Sequence, residues 1–135
     1  MLNPYQTPNA VGSGQPAVFG PRWIDWLFWG LALLPAASVY FTWFVAWLTL
    51  GHPPCPSLDD PKHISPAVST VYLISGLFLL SLPVVAIVGP VVQLMAAGRS
   101  LAIRVTYATI SFAVSVGTIL LLRWDPGDVV YWYFD

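Results

Sequence analysis

Apolar residues in this chain come in three long blocks with short polar interruptions. Residues 71–98 carry no charged side chain and neither do residues 105–122. Between these two runs lies the short turn Gly98-Arg99-Ser100. A membrane-spanning helix needs about 20 apolar residues, at about 1.5 Å of rise each, to cross about 30 Å of hydrocarbon. Both runs meet that length, and so short a turn makes them antiparallel neighbours. An earlier block, residues 23–50, is the first span in chain order. Trp23, Trp26 and Trp29 crowd its start, and Trp43 and Trp47 its end. Indole rings favour the headgroup boundary, where the apolar ring and the polar N–H are both satisfied. From Trp26 to Trp47 is roughly 31 Å along a helix at ~1.5 Å per residue, close to the hydrocarbon thickness. The pattern predicts an all-α membrane protein with three transmembrane helices, at about 23–50, 69–97 and 101–122.

The interruptions set the organisation. Residues 1–22 hold four prolines and three glycines among polar residues, which predicts a flexible N-terminal tail. Residues 51–68 read as a loop, because His52, Pro53, Pro54, Cys55, Pro56, Pro61 and Pro66 oppose a regular helix and Asp59, Asp60, Lys62 and His63 favour water. The three-helix domain covers residues 23–123. Residues 124–135 pass through the turn Asp125-Pro126-Gly127-Asp128 into an aromatic segment too short to span, expected to lie extended at the membrane interface. Pro35, Pro83 and Pro90 fall inside the spans and predict bends there.

Composition narrows the function classes. Charged residues are 8% of the chain and hydrophobic ones 57%, which favours a lipid-facing surface over a water-facing one. The net charge of −1 leaves no basic footprint, so no nucleic-acid partner is expected. The first 21 residues lack Lys, Arg and an apolar core, so no secretory signal peptide is read, and insertion falls to the first span. Arg22, Arg99 and Arg104 lie toward one side, and Lys62 and Arg123 toward the other. The positive-inside rule then puts the N-terminus inside and the C-terminus outside.

The chain opens Asn3-Pro4-Tyr5-Gln6-Thr7-Pro8. This resembles the Asn-Pro-Tyr-x-x-Pro openings of small uncharacterised bacterial polytopic membrane proteins, planctomycete ones especially. The resemblance covers these six residues, implies a bacterial inner (plasma) membrane protein, and carries over no site residue.

Five sets of residues are candidates for chemistry or recognition. Asp25, Gln93, Arg99 and Arg104 fall at similar depth and form an inner-leaflet polar cluster. In it Asp25 is placed to pair with Arg104 and dock helices, the alternative being that all four reach the boundary and fix topology. His52, Cys55 and His63 are acceptable zinc or copper ligands in type. That set is one ligand short unless Asp59 or Asp60 joins, so the loop reads as an ordinary connection and no metal is expected. No histidine occurs in the spans, which excludes axial imidazole ligation of a haem from them, and no cofactor is expected. Thr109, Ala113 and Gly117 form a small-residue stripe suited to helix packing. Thr106, Thr109, Ser111, Ser115 and Thr118 supply hydroxyls without a nearby base, so they read as packing groups and not as nucleophiles. Tyr131, Trp132, Tyr133 and Phe134 make an aromatic patch that either anchors in headgroups or meets a partner.

No catalytic constellation appears, and an enzyme is not expected. The chain reads as a non-catalytic accessory or structural subunit of a larger bacterial membrane protein complex. Its expected partners are the lipid bilayer and other membrane-protein subunits, or further copies of itself. The alternative is a small homo-oligomeric transporter or channel component, with Asp25, Arg104 and the hydroxyls lining the path.

Overall fold

A computed structural model describes residues 23–135, and the predicted tail, residues 1–22, lies outside them. Among the described residues the chain is all-helical: α1 (Trp23–Leu50), α2 (Pro66–Met95), α3 (Leu101–Trp124) and the short α4 (Val129–Phe134). The first three are long and apolar enough to cross a membrane, and each packs against the other two as an up-down-up bundle.

Local chemistry fixes where each helix starts and stops. Ser65 caps α2, its hydroxyl accepting from Val68 N–H at 3.2 Å. Pro66 thus begins this helix instead of ending the loop. The first helical position suits proline, since its N–H would have no partner there. At the other end, α2 stops at Met95 and Gly98 turns the chain at φ +78°, a conformation cheap only for glycine. Ser100 then caps α3 through Ile103 N–H. Each of the three internal prolines sits inside an unbroken helix.

The interior is built from small and polar side chains. α1 turns Ala32, Pro35, Ala36, Val39, Thr42 and Ala46 inward, at spacings of three and four. α3 buries Ala108, Ser111, Ser115 and Thr118. Large side chains point out, among them Leu73, Leu77, Leu80, Ile87, Phe112 and Leu120. Lipid solvates large apolar groups as well as a protein core does, so close backbone approach and dispersion decide what packs inside. At Gly89 the approach is closest: a Cβ added there would lie 2.9 Å from Ser111 Oγ and 3.3 Å from Phe28 Cδ1. Nearer the loop end, Thr42 and Ser75 join hydroxyls at 2.7 Å, and Ser75 also donates to the Ser38 carbonyl at 3.0 Å.

The structure gives the expected packing stripe a direction and corrects one expectation at the C-terminus. The stripe Thr109, Ala113 and Gly117 faces outward, and a Cβ at Gly117 would meet nothing within 4 Å. The stripe that packs within the chain runs one face over, through Ala108, Ser111, Ser115 and Thr118. Residues 129–134 are helical and not extended. Asp125 makes this possible. In a left-handed conformation (φ +47°) it ends α3, and its carboxylate then accepts from Val130 N–H at 2.5 Å and Tyr131 N–H at 2.7 Å. Those are first-turn donors of α4 that would otherwise lack partners. So tethered, α4 turns Val129, Trp132 and Tyr133 into a core with Val39, Ala46 and Val68.

Candidate functional site

At the end of the bundle where α1 begins, the polar residues expected as a cluster meet unequally. Arg99 extends from the turn between α2 and α3 and makes a two-pronged pair with Asp25 on the first turn of α1. Nη1 donates to Oδ1 at 3.1 Å and Nη2 to Oδ2 at 2.5 Å. Both side chains are essentially sealed, at 1% and 0% exposure. The guanidinium also lies 4.6 Å from the centre of the Tyr107 ring, and Trp29 stacks on that ring at 5.9 Å. A planar cation can satisfy a carboxylate along its edge and a ring on its face together, which an ammonium cannot.

Arg104, the expected partner of Asp25, is not paired with it. Its Nε donates to the Arg99 carbonyl at 3.0 Å, bracing the turn that presents Arg99. Four positions along α3 separate Arg104 from the N-cap Ser100, and that places it beside the turn. Gln93 is buried at 1% exposure, yet neither amide atom has a hydrogen-bond partner among the described residues. It lines a cleft of about 400 Å³ with Ile24, Asp25, Val92, Met95 and Ala96. Three of the four cluster residues therefore form a closed structural joint, with Gln93 left beside it.

The hydroxyls of α3 divide by face. Ser115 donates to the Ser111 carbonyl at 3.1 Å, Thr118 to Val114 at 3.0 Å and Thr106 to Ala102 at 2.9 Å. Thr106 and Thr109 are exposed on the outer face, while Ser111, Ser115 and Thr118 are buried. Helix-to-own-carbonyl bonding is what such residues do when packed in apolar surroundings.

At the opposite end, the loop of residues 51–65 folds back on α4. Trp132 Nε1 donates to the Asp59 carbonyl at 2.6 Å, and Tyr133 Oη donates to the Tyr72 carbonyl at 2.8 Å. Burial, and secondarily Tyr72, pushes the Tyr133 phenol up to about 12. The expected aromatic patch is therefore split. Trp132 and Tyr133 are 1% and 2% exposed, while Tyr131 and Phe134 remain outside at 60% and 66%. One helical turn puts Trp132 and Tyr133 toward the bundle and Tyr131 and Phe134, three residues apart, on the face away from it, and nothing in the linear run indicates the division.

The loop also regroups its metal-type ligands. His52, Cys55 and Asp59 bring one donor atom each within 4.8 Å of one another. His63, the expected third member, instead meets the Asp60 carboxylate at 2.9 Å. The Asp60 carboxyl is held below its ordinary value, chiefly by the Lys62 backbone N–H and also by His63.

Comparison with known proteins returned no matching family model, no matching curated protein and no matching solved structure. What the chain does must therefore be argued from its own geometry.

Proposed function

We propose that this integral membrane protein is a non-catalytic accessory or structural subunit of a larger assembly in a bacterial inner membrane. The observation that carries the reading is the outer face of α3. Thr109, Ala113 and Gly117 lie there at four-residue spacing, exposed, with open space over Gly117. Lipid gains little from a row of small residues, whereas a neighbouring helix gains close backbone approach and the dispersion that goes with it. Exposed Phe112 on one side of the row and Leu121 on the other would frame that helix.

The polar groups favour this role over conduction. The Asp25–Arg99 pair is sealed from solvent, and the inward hydroxyls of Ser115 and Thr118 are bonded to their own helix. A transport path would need such groups facing water. We place the Asp25–Arg99 end in the cytoplasm by the positive-inside rule, since Arg99 and Arg104 lie at that end and Arg22 directly precedes α1 in the sequence, against Lys62 and Arg123 at the other end.

The test is extraction of the tagged chain from native membranes in mild detergent, followed by mass spectrometry of the intact complex. A larger heteromeric assembly is expected. The variants A113L and G117L should release the partner while leaving the bundle helical and folded. Recovery of the chain alone, or retention of the partner by both variants, would overturn the reading. A complex of identical copies would shift it to self-association through the same face.

A further inference from the structure

The loop between α1 and α2 contains a set of donors that the packing of the bundle does not use. His52, Cys55 and Asp59 come from a stretch of eight residues, and their donor atoms lie within 4.8 Å of one another. They comprise an imidazole, a thiol and a carboxylate. From the geometry we infer that His52, Cys55 and Asp59 form a binding site for a borderline divalent transition-metal ion of the zinc type, with a fourth position left open to solvent.

The donor chemistry selects the ion. Zinc takes sulfur at about 2.3 Å and imidazole nitrogen or carboxylate oxygen at about 2.0–2.2 Å, in tetrahedral arrangement. Those bond lengths put neighbouring donors roughly 3.3–3.7 Å apart. The three groups are therefore about 1 Å from closure, and His52 and Cys55 are exposed side chains free to make that move. Calcium and magnesium prefer all-oxygen shells and are disfavoured by the thiol.

The backbone holds the set ready. Pro53, Pro54 and Pro56 fix φ on both sides of Cys55, and Pro54, between the two strongest ligands, is buried. The Cys55 backbone N–H donates to Asp59 Oδ2 at 2.9 Å, which holds the carboxylate beside the thiol's own residue. His52 Nδ1 lies 3.0 Å from the Pro53 carbonyl. A backbone carbonyl at that distance helps to orient the ring, as partners of the second ring nitrogen commonly do for metal-bound histidine. Beyond the ligands, the Asp59 carbonyl accepts from buried Trp132, so the site is anchored through α4 to the bundle core. His63 plays no part, since its ring faces Asp60.

Binding replaces the Cys55 S–H bond with a sulfur–metal bond and releases one proton to solvent. An ion held there would clamp the loop on α4 and raise the stability of the folded form by mass action. The open position leaves room for water or for a donor from another molecule.

The experiment uses the full chain, reduced and metal-free, in detergent micelles, titrated with cobalt(II) as the spectroscopic probe. The expected result is a thiolate-to-cobalt charge-transfer band saturating at one ion per chain, bleached on adding zinc(II). C55S should abolish the band. H52A and D59N should each weaken binding by about tenfold or more, the scale on which disturbed metal shells lose affinity. H63A should leave it unchanged. Circular dichroism of each variant verifies that the bundle remains helical, and because His52, Cys55 and His63 are exposed and Asp59 lies in the loop outside the helices, retained helix is expected throughout. No charge-transfer band in the wild-type chain, one ion shared by two chains, or a loss of affinity in H63A as large as in D59N would each overturn the proposal.

Discussion

Arg99 and Asp25 lie 74 residues apart in the chain, yet they share a two-pronged ion pair closed to solvent at the end of the bundle. It ties the turn between α2 and α3 to the first turn of α1, so that all three helices meet at one joint.

Removing one side of this pair leaves a desolvated charge without its counterpart, a loss of about 3–5 kcal/mol for buried pairs. D25N and R99M are each expected to destabilise the protein on that scale, measured as equilibrium unfolding in micelles. The double variant D25L/R99M should cost less than the sum of the singles, because it removes both desolvation penalties. R104A breaks only a bond to the Arg99 carbonyl and should cost much less than R99M. Equal losses for R104A and R99M would contradict the joint described here.

The split of the C-terminal aromatics gives a second test. Trp132 is buried and bonded to the Asp59 carbonyl, so W132A should cost about 3–5 kcal/mol by the usual measure for deleting a buried tryptophan. Y131A and F134A remove exposed rings and should change the thermal midpoint little. If Tyr131 and Phe134 meet a partner, their loss will be read in co-purification and not in unfolding.

Tyr133 makes the docking of α4 sensitive to alkali. Its phenol is pushed up from 10.0 to about 12 by burial. The folded state therefore keeps a proton that the unfolded state gives up, and the stabilisation is fully present below pH 10 and lost as the pH rises through about 12. Unfolding followed across this window should show falling stability in the wild type and a flatter dependence in Y133F. The same slope in both would mean that other tyrosines carry the effect.

Gly89 and Gly117 should respond oppositely to a methyl group. G89A places a Cβ 2.9 Å from Ser111 Oγ, and overpacking of this kind costs about 1–3 kcal/mol. Because Ser111 Oγ has no hydrogen-bond partner, S111A should relieve most of that cost in the double variant. G117A meets open space and should stabilise α3 slightly, by up to ~1 kcal/mol. A thermal-shift comparison of the three variants checks the prediction.

Gln93 provides the last comparison. Its amide is buried without hydrogen bonds, and an unsatisfied buried polar group costs about 1–3 kcal/mol. Q93M, similar in size, should leave stability unchanged or raise it. A clear loss in Q93M would indicate that the amide is bonded in the membrane, within the cleft it shares with Asp25.

The sequence by itself determined the three spans, the loop between the first two and the tight turn between the last two. Hydropathy acts over neighbours along the chain, so Trp23–Leu50 and the arms around Gly98 were legible, although α2 begins at Pro66, three residues before the expected start. Tertiary structure alone decided which groups meet. In lipid both faces of a helix are apolar, so the inward face of α3 carries no hydrophobic stripe to announce it, and Ala108-Ser111-Ser115 is as plausible from sequence as Thr109-Ala113-Gly117. The rotation of each helix is set by close approach at points such as Gly89 against Ser111, and that rotation gives Asp25 to Arg99 and not to Arg104. The same holds at the far end. Asp125 folds the last residues into a helical turn, and that turn buries Trp132 and Tyr133, holds the loop by the Asp59 carbonyl and leaves His63 outside the donor set.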